Sequence, residues 1–206
     1  MTLRPLADVA TMLMLLATGA VQAQAMPQEP RNFFFTLFGG LTGGGDKLAE
    51  VRFSDGSRQS VNGGGLVHFG AGLTWQPQDT PFMLQSTIGY HVDNVTASNG
   101  DVTFSRVPIE VLGFYTGVPR WRFGGGARFV SSIELSSDVN GFSDSIKFKD
   151  TTGAVFEAGY QLAPKVWLNG RYTAEKYEAA SVNGLSVIST GQTSGNSIGI
   201  NLVVSF

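Results

Sequence analysis

From residue 32 onward the chain alternates apolar side chains with small or polar ones, in stretches of about ten residues that each close on Gly, Ser, Asn, Asp or Pro. A period of two marks a strand whose faces meet different surroundings, because successive side chains point to opposite sides. Val67, Phe69, Ala71, Leu73 and Trp75 share one face of such a stretch, with His68, Gly70, Gly72 and Thr74 behind them. Leu84, Ser86, Ile88, Tyr90 and Val92 likewise oppose Gln85, Thr87, Gly89, His91 and Asp93, and Val107, Ile109, Val111, Gly113 and Tyr115 oppose Arg106, Pro108, Glu110 and Leu112. Trp121, Phe123, Ala127, Phe129 and Ile133 are set against Arg122, Gly124, Gly126, Arg128 and Glu134. Further on, Ala154, Phe156, Ala158, Tyr160 and Leu162 back onto Glu157 and its neighbours, and Val166, Leu168, Gly170, Tyr172 and Ala174 onto Asn169, Arg171, Thr173 and Glu175. The last stretch puts Ile198, Ile200, Leu202, Val204 and the terminal Phe206 on one face. The first, Asn32 to Thr42, contains Phe33-Phe-Phe35 and is apolar on parts of both faces; Phe33, Phe35, Leu37 and Leu41 are assigned to the outer one.

In every stretch the charges lie opposite the apolar face. A soluble sheet would cover that face with more chain, whereas a closed barrel in lipid turns it outward, keeps polar groups inside and leaves no unpaired edge. The eight stretches therefore predict an all-β protein, an eight-stranded antiparallel up-and-down transmembrane β-barrel. Gln76 to Pro81, Gly117 to Arg120 and Ala163 to Lys165 are short connections containing proline, whose fixed φ suits a tight turn. Between them come longer connections rich in Gly, Ser, Asn and Asp, roughly 43–65, 94–102, 135–150 and 178–196. In the first of these, Asp55-Gly56 reads as a hairpin turn between alternating arms. Trp75, Phe82, Tyr115, Trp121 and Phe206 cluster at the short-turn side, where aromatic rings sit at headgroup level. Short periplasmic turns, long extracellular loops and an even strand count place both termini in the periplasm.

The start of the chain changes the picture in one respect. Arg4, the apolar run around Met12 to Leu16 and the small residues Ala23-Gln-Ala25 read as a secretory signal peptide over residues 1–25, which leaves 26–206 as the barrel domain. Beyond it no apolar run approaches the roughly 20 residues of a membrane helix. The absence of cysteine excludes both a lipoprotein anchor and disulfides. The 27 glycines and only 15% charged residues fit strands and turns. A formal charge of −2 gives no signature for nucleic acid, which is not expected as a partner.

This set of features resembles the small eight-stranded bacterial outer-membrane proteins of the OmpX, OmpW and OmpA-barrel types. The resemblance covers Asn32 to Phe206 and rests on pattern, with no residue motif behind it. It implies residence in the outer membrane of a Gram-negative bacterium, contact with its lipid, recognition by the assembly machinery through the strand ending in Phe206, and a monomer. It also implies a non-catalytic protein that acts through envelope structure and surface loops, with a narrow channel for small or hydrophobic compounds as the alternative and a lipid-modifying enzyme as a remoter one.

An eight-stranded barrel is just wide enough to be filled by its own side chains, so inward charges must pair or meet water. Folding about Pro164 puts Glu157 opposite Arg171, and folding about Val118-Pro119 puts Glu110 opposite or next to Arg128. A ladder of Glu110, Arg128, Glu157 and Arg171 is therefore expected to plug the lumen and fix strand register. His68 and His91, with Asp93 and Arg106 in reach, form a second polar cluster placed near the extracellular rim. A His, an acid and a hydroxyl are the minimum for an activated nucleophile, but no serine is singled out by spacing, and the cluster reads as packed lumen polar groups. Two histidines and one aspartate are too few fixed ligands for a metal site, and no cofactor is expected. The triplets Gly43–Gly45 and Gly63–Gly65 read as loop ends, and Gly124–Gly126 as a kink or close approach inside the barrel.

Overall fold

The computed structural model describes residues 32–52, 58–97, 100–139, 141–188 and 191–206. The signal-peptide reading of 1–25 and the Asp55-Gly56 turn fall outside them. Eight strands form the wall: β1 (Phe33–Gly44), β2 (Leu66–Trp75), β3 (Phe82–Ala97), β4 (Gly100–Val118), β5 (Trp121–Val139), β6 (Thr151–Ala163), β7 (Val166–Ala174) and β8 (Ser197–Ser205). Each pairs antiparallel with its neighbours in sequence, and β8 returns to pair with β1, so the ring is closed. In the closing seam Leu37 faces Val204, Gly39 faces Leu202 and Leu41 faces Ile200, while the Phe206 amide donates to the Phe35 carbonyl at 2.9 Å.

Side-chain parity follows the sequence pattern. Phe69, Leu73, Ile88, Ile109, Val111, Phe129, Phe156, Tyr172 and Ile200 are exposed on the outer wall, as an apolar face in lipid requires. Phe33 and Phe35 point out, and Thr36, Phe38 and Thr42 point into the lumen. At the short-turn end the rings form a belt: Phe33 stacks on Trp75 with centroids 6.4 Å apart, Phe82 meets Tyr115 at 5.8 Å and Trp121 meets Tyr160 at 5.2 Å.

One parity expectation fails. Ile133, assigned outward from the pattern, is buried inside, and Glu134 turns away from the lumen. The cause is a β-bulge between β4 and β5: Val107 pairs with Ser131 but Ser105 pairs with Glu134, so two residues, Ser132 and Ile133, stand against Arg106. Ser132 takes φ 51°, and the extra residue inverts the faces beyond it.

The long connections also differ from the expected loops. β4 and β5 each run 19 residues, about twice the 9–11 that cross a bilayer, so much of the reach 94–102 and the start of 135–150 is strand. Phe142–Phe148 turns back along the end of β5, Ala179–Val182 pairs with it, and Leu185–Ser186 adds to that strand. Lys176–Tyr177 pairs with Thr193–Ser194. Lys47–Arg52 and Arg58–Asn62 form a separate hairpin. It is tied down by Asp46, whose amide donates to Ser194 O at 2.8 Å and whose carboxylate accepts from the Ser194 amide at 2.7 Å.

Deleting Ser132 should remove the bulge, set Ile133 directly opposite Arg106 and leave Ile133 and Leu135 facing the lumen. The expected outcome is that the fast-migrating species of unheated protein persists in detergent gels, with Ser132→Gly also folding normally and about 1 kcal/mol more stable because glycine accepts positive φ.

Candidate functional site

The lumen is the only place where the strands bring chemistry-bearing side chains together in number among the described residues. Strand pairing sets Glu110 directly across from Arg128 and Glu157 directly across from Arg171. All four side chains are buried. Arg128 Nη1 donates to Glu110 Oε1 at 2.6 Å, and Arg171 Nη1 to Glu157 Oε1 at 2.9 Å. Arg171 Nη2 also donates to Glu110, which links the two pairs across the barrel. Such charge-assisted, multiply bonded contacts are the ones that can offset the cost of burying ions.

The network is larger than the four residues singled out from sequence. Arg128 Nε donates to Glu175 Oε2 at 2.8 Å, and Tyr177 donates its hydroxyl to the same carboxylate. Above the apolar belt, burial pushes the Tyr177 hydroxyl over its ordinary range and so keeps it a donor. Arg106 Nε lies 3.7 Å from Glu175 Oε1, and its guanidinium rests on the Phe104 ring at 4.8 Å. At the other end Arg122 donates to Asn169 at 3.1 Å and stacks over Phe114 at 4.4 Å, while Asn169 donates to Glu157 at 2.9 Å. A side chain at Gly159 would collide with Asn169 and Arg122, which is why the wall is bare there. Glu175 and Arg122 carry the same inward parity as Arg171 and Arg128, so the signal for them was present in the alternation.

The histidine cluster is assembled differently from the expected rim. His68 and His91 are buried, with ring centroids 5.6 Å apart. Arg128 Nη2 approaches His91 Nδ1 at 3.2 Å. A second guanidinium, that of Arg106, stands 3.2 Å from the other ring nitrogen, Nε2, which also lies 2.8 Å from Thr42 Oγ1. Asp93, by contrast, accepts from the Asn62 amide at 2.9 Å and anchors the first hairpin.

Over this polar layer lies an apolar one. Val61 from that hairpin packs with Val95, Val102, Phe104, Ile133, Leu135 and Tyr177, all buried, with Leu48, Ile146 and Phe148 against them. The lumen is filled twice, by ion pairs across its middle and by apolar side chains at the long-hairpin mouth. Among the described residues no group of His, Asp and Glu has the placement of a metal site.

Comparison with known proteins bears on the architecture. The family described as outer membrane protein beta-barrel domain matches residues 12–206. Among solved structures, Neisserial surface protein A (NspA) superposes with a TM-score of 0.50 at 12% identity, covering 87% of this chain and 100% of its own. Ail, the attachment invasion locus protein of Yersinia pestis, gives 0.45 at 10% identity over 84% of this chain and 97% of its own. The outer membrane protein AlkL, solved in lipid bilayers, gives 0.43 at 14% identity over 88% and 94%. No curated protein matches the sequence.

Arg171→Met should cost about 3–5 kcal/mol, because it removes the cation that bridges two buried carboxylates and leaves Glu110 to Arg128 alone and Glu157 to Arg122, 3.9 Å away. Adding Glu110→Gln, which leaves Arg128 its bond to Glu175 and Arg122 its partner Glu157, should recover most of that loss. Urea unfolding of the refolded barrel in micelles, followed by tryptophan fluorescence, measures both.

Proposed function

The chain belongs to the outer membrane protein beta-barrel domain family, and from that premise we propose a non-catalytic outer-membrane protein that acts through its surface hairpins and its part in the envelope. Residues 1–25 are removed on export, both termini face the periplasm, and the long hairpins stand outside the cell. The strand ending in Phe206 is offered to the assembly machinery. The closed ring has no free edge in the bilayer, which favours a monomer.

The observation that carries this reading is the sheet that rises past the apolar belt. Val139 to Ser143 and Val182 to Ser186 share the pattern Val-Asn-Gly, a large apolar residue, then Ser. Asn183 clamps the second tip to the first hairpin, donating to Asp144 at 2.8 Å and accepting from the Ser145 amide at 2.7 Å. On this tied platform Phe142 is 78% exposed, Leu185 75% and Ile188 98%. Large apolar side chains held in water on a prearranged sheet are what a protein contact uses, since little ordering entropy remains to be lost on binding. The filled lumen favours this over a channel.

Bacteria displaying the protein should adhere to protein-coated surfaces, and the variant Phe142→Ser, Leu185→Ser, Ile188→Ser should lose that adhesion while reaching the surface in equal amount. Equal adhesion would remove the reading. In planar bilayers the refolded protein should show no steady conductance, and an ohmic open state would restore the channel alternative.

A further inference from the structure

We propose that the short-turn mouth of the barrel binds one anionic phospholipid, with its phosphate held by cations at the rim and an acyl chain lying in a groove of the outer wall beside them. The inference rests on the outer-membrane reading and adds to it a lipid that the protein selects, beyond the bulk bilayer.

Two turns carry the same device. In Val118-Pro119-Arg120-Trp121 and Ala163-Pro164-Lys165-Val166 a proline is followed by a basic residue, with φ 64° at Arg120 and 62° at Lys165. Proline presets the first corner, and the second, at positive φ, is a position that glycine or asparagine fills without steric cost. Strain retained at two matching positions, each occupied by a cation, points to a use for the charge. Both cations lie against rings at the height of the aromatic belt: Arg120 is 5.2 Å from the Tyr160 centroid and Lys165 Nζ 4.4 Å from that of Phe34. That is the level of lipid headgroups.

Between these turns the lumen opens into a hollow of about 220 Å³. Arg120 and Lys165 stand at it with Gln76, Gln161, Thr116 and Ser205, and no carboxylate lines it. Asp79 belongs to the adjoining turn. Met83 and Trp167 line the hollow too, and Arg122 lies directly behind them, its guanidinium 5.0 Å from the Trp167 centroid and Nη1 3.8 Å from Met83 Sδ. Its Nη2 is buried with no hydrogen-bond partner, and its ion partner Glu157 is 3.9 Å away. The mouth is thus positive and rich in donors, which suits phosphate, the group a guanidinium binds with paired hydrogen bonds.

Beside the hollow, the outer wall has an apolar depression of about 490 Å³ bounded by Trp75, Phe82, Leu84, Tyr115 and Phe123. Its floor is Gly113, where a β-carbon would meet nothing within 4 Å. Met83 contributes to both spaces. A phosphate site and an acyl-sized groove side by side, at headgroup height, match a phospholipid and no simple anion.

The full-length protein in phosphatidylcholine nanodiscs doped with phosphatidylglycerol tests this by counting the lipids that stay bound on gentle detergent release, read by native mass spectrometry. One phosphatidylglycerol per barrel should be retained, in preference to phosphatidylcholine. Arg120→Gly with Lys165→Gly, which relieves both turns, should keep the gel mobility of the folded barrel and lower retention about tenfold. Gly113→Leu should fill the groove and lower retention with the cations intact. Equal retention of the two lipids, or retention unchanged in the double glycine variant, would overturn the proposal. So would thermal protection by inorganic phosphate alone matching that by the lipid, with Gly113→Leu silent, since that is a free-anion site. Loss of membrane residence would appear separately, as identical mobility of heated and unheated protein.

Discussion

The constraint on which everything else depends is that no backbone N–H or C=O can go unpaired in hydrocarbon. An open sheet of these strands would present two bare edges to lipid. Pairing of β8 with β1 across Thr36 to Gly44 removes both, and once the ring is closed each side chain has two destinations, lipid or lumen. The apolar outer wall and the charged interior are two consequences of that one closure.

Closure also sets the terms for the interior. Eight strands enclose too little room for a wide water channel, so the inward arginines Arg106, Arg122, Arg128 and Arg171 must be matched within the wall. Asp93, Glu110, Glu157 and Glu175 supply the same number of acids, all buried or nearly so. Because Glu110 and Glu157 both hold Arg171, and Arg128 reaches both Glu110 and Glu175, the ion pairs tie β4, β5, β6 and β7 into one unit. A slip of one residue in any strand would send these groups toward lipid, so the network specifies register as well as filling space.

With its middle filled, the barrel has two ends that differ in character. One carries extended hairpins, an apolar seal around Val61 and an outlying apolar platform; the other carries tight turns, aromatic rings and cations. In the proposed reading the first faces partners in water and the second faces headgroups. The proposed activities sit at these ends because ion pairs and apolar side chains fill the lumen between them.

Alternation by itself determined the fold class, the eight strands, the inward or outward side of most residues, the pair Glu157 with Arg171 and the place of Arg128 opposite or next to Glu110, because a period of two and the position of a tight turn constrain both face and register. It could not fix what depends on a bulge or on the meeting of distant segments. Ser132 and Ile133 obey the alternation locally, and only the competing pairings of β4 and β5 force the extra residue that turns Ile133 inward. Arg106 lies far in sequence from Glu175 and Tyr177, and the seal around Val61 gathers residues from the first hairpin, from β3, β4 and β5 and from the last long connection. The tertiary structure decided these because lumen contacts run across the barrel, between strands that are neither neighbours in sequence nor partners in the sheet, and no local pattern carries that distance.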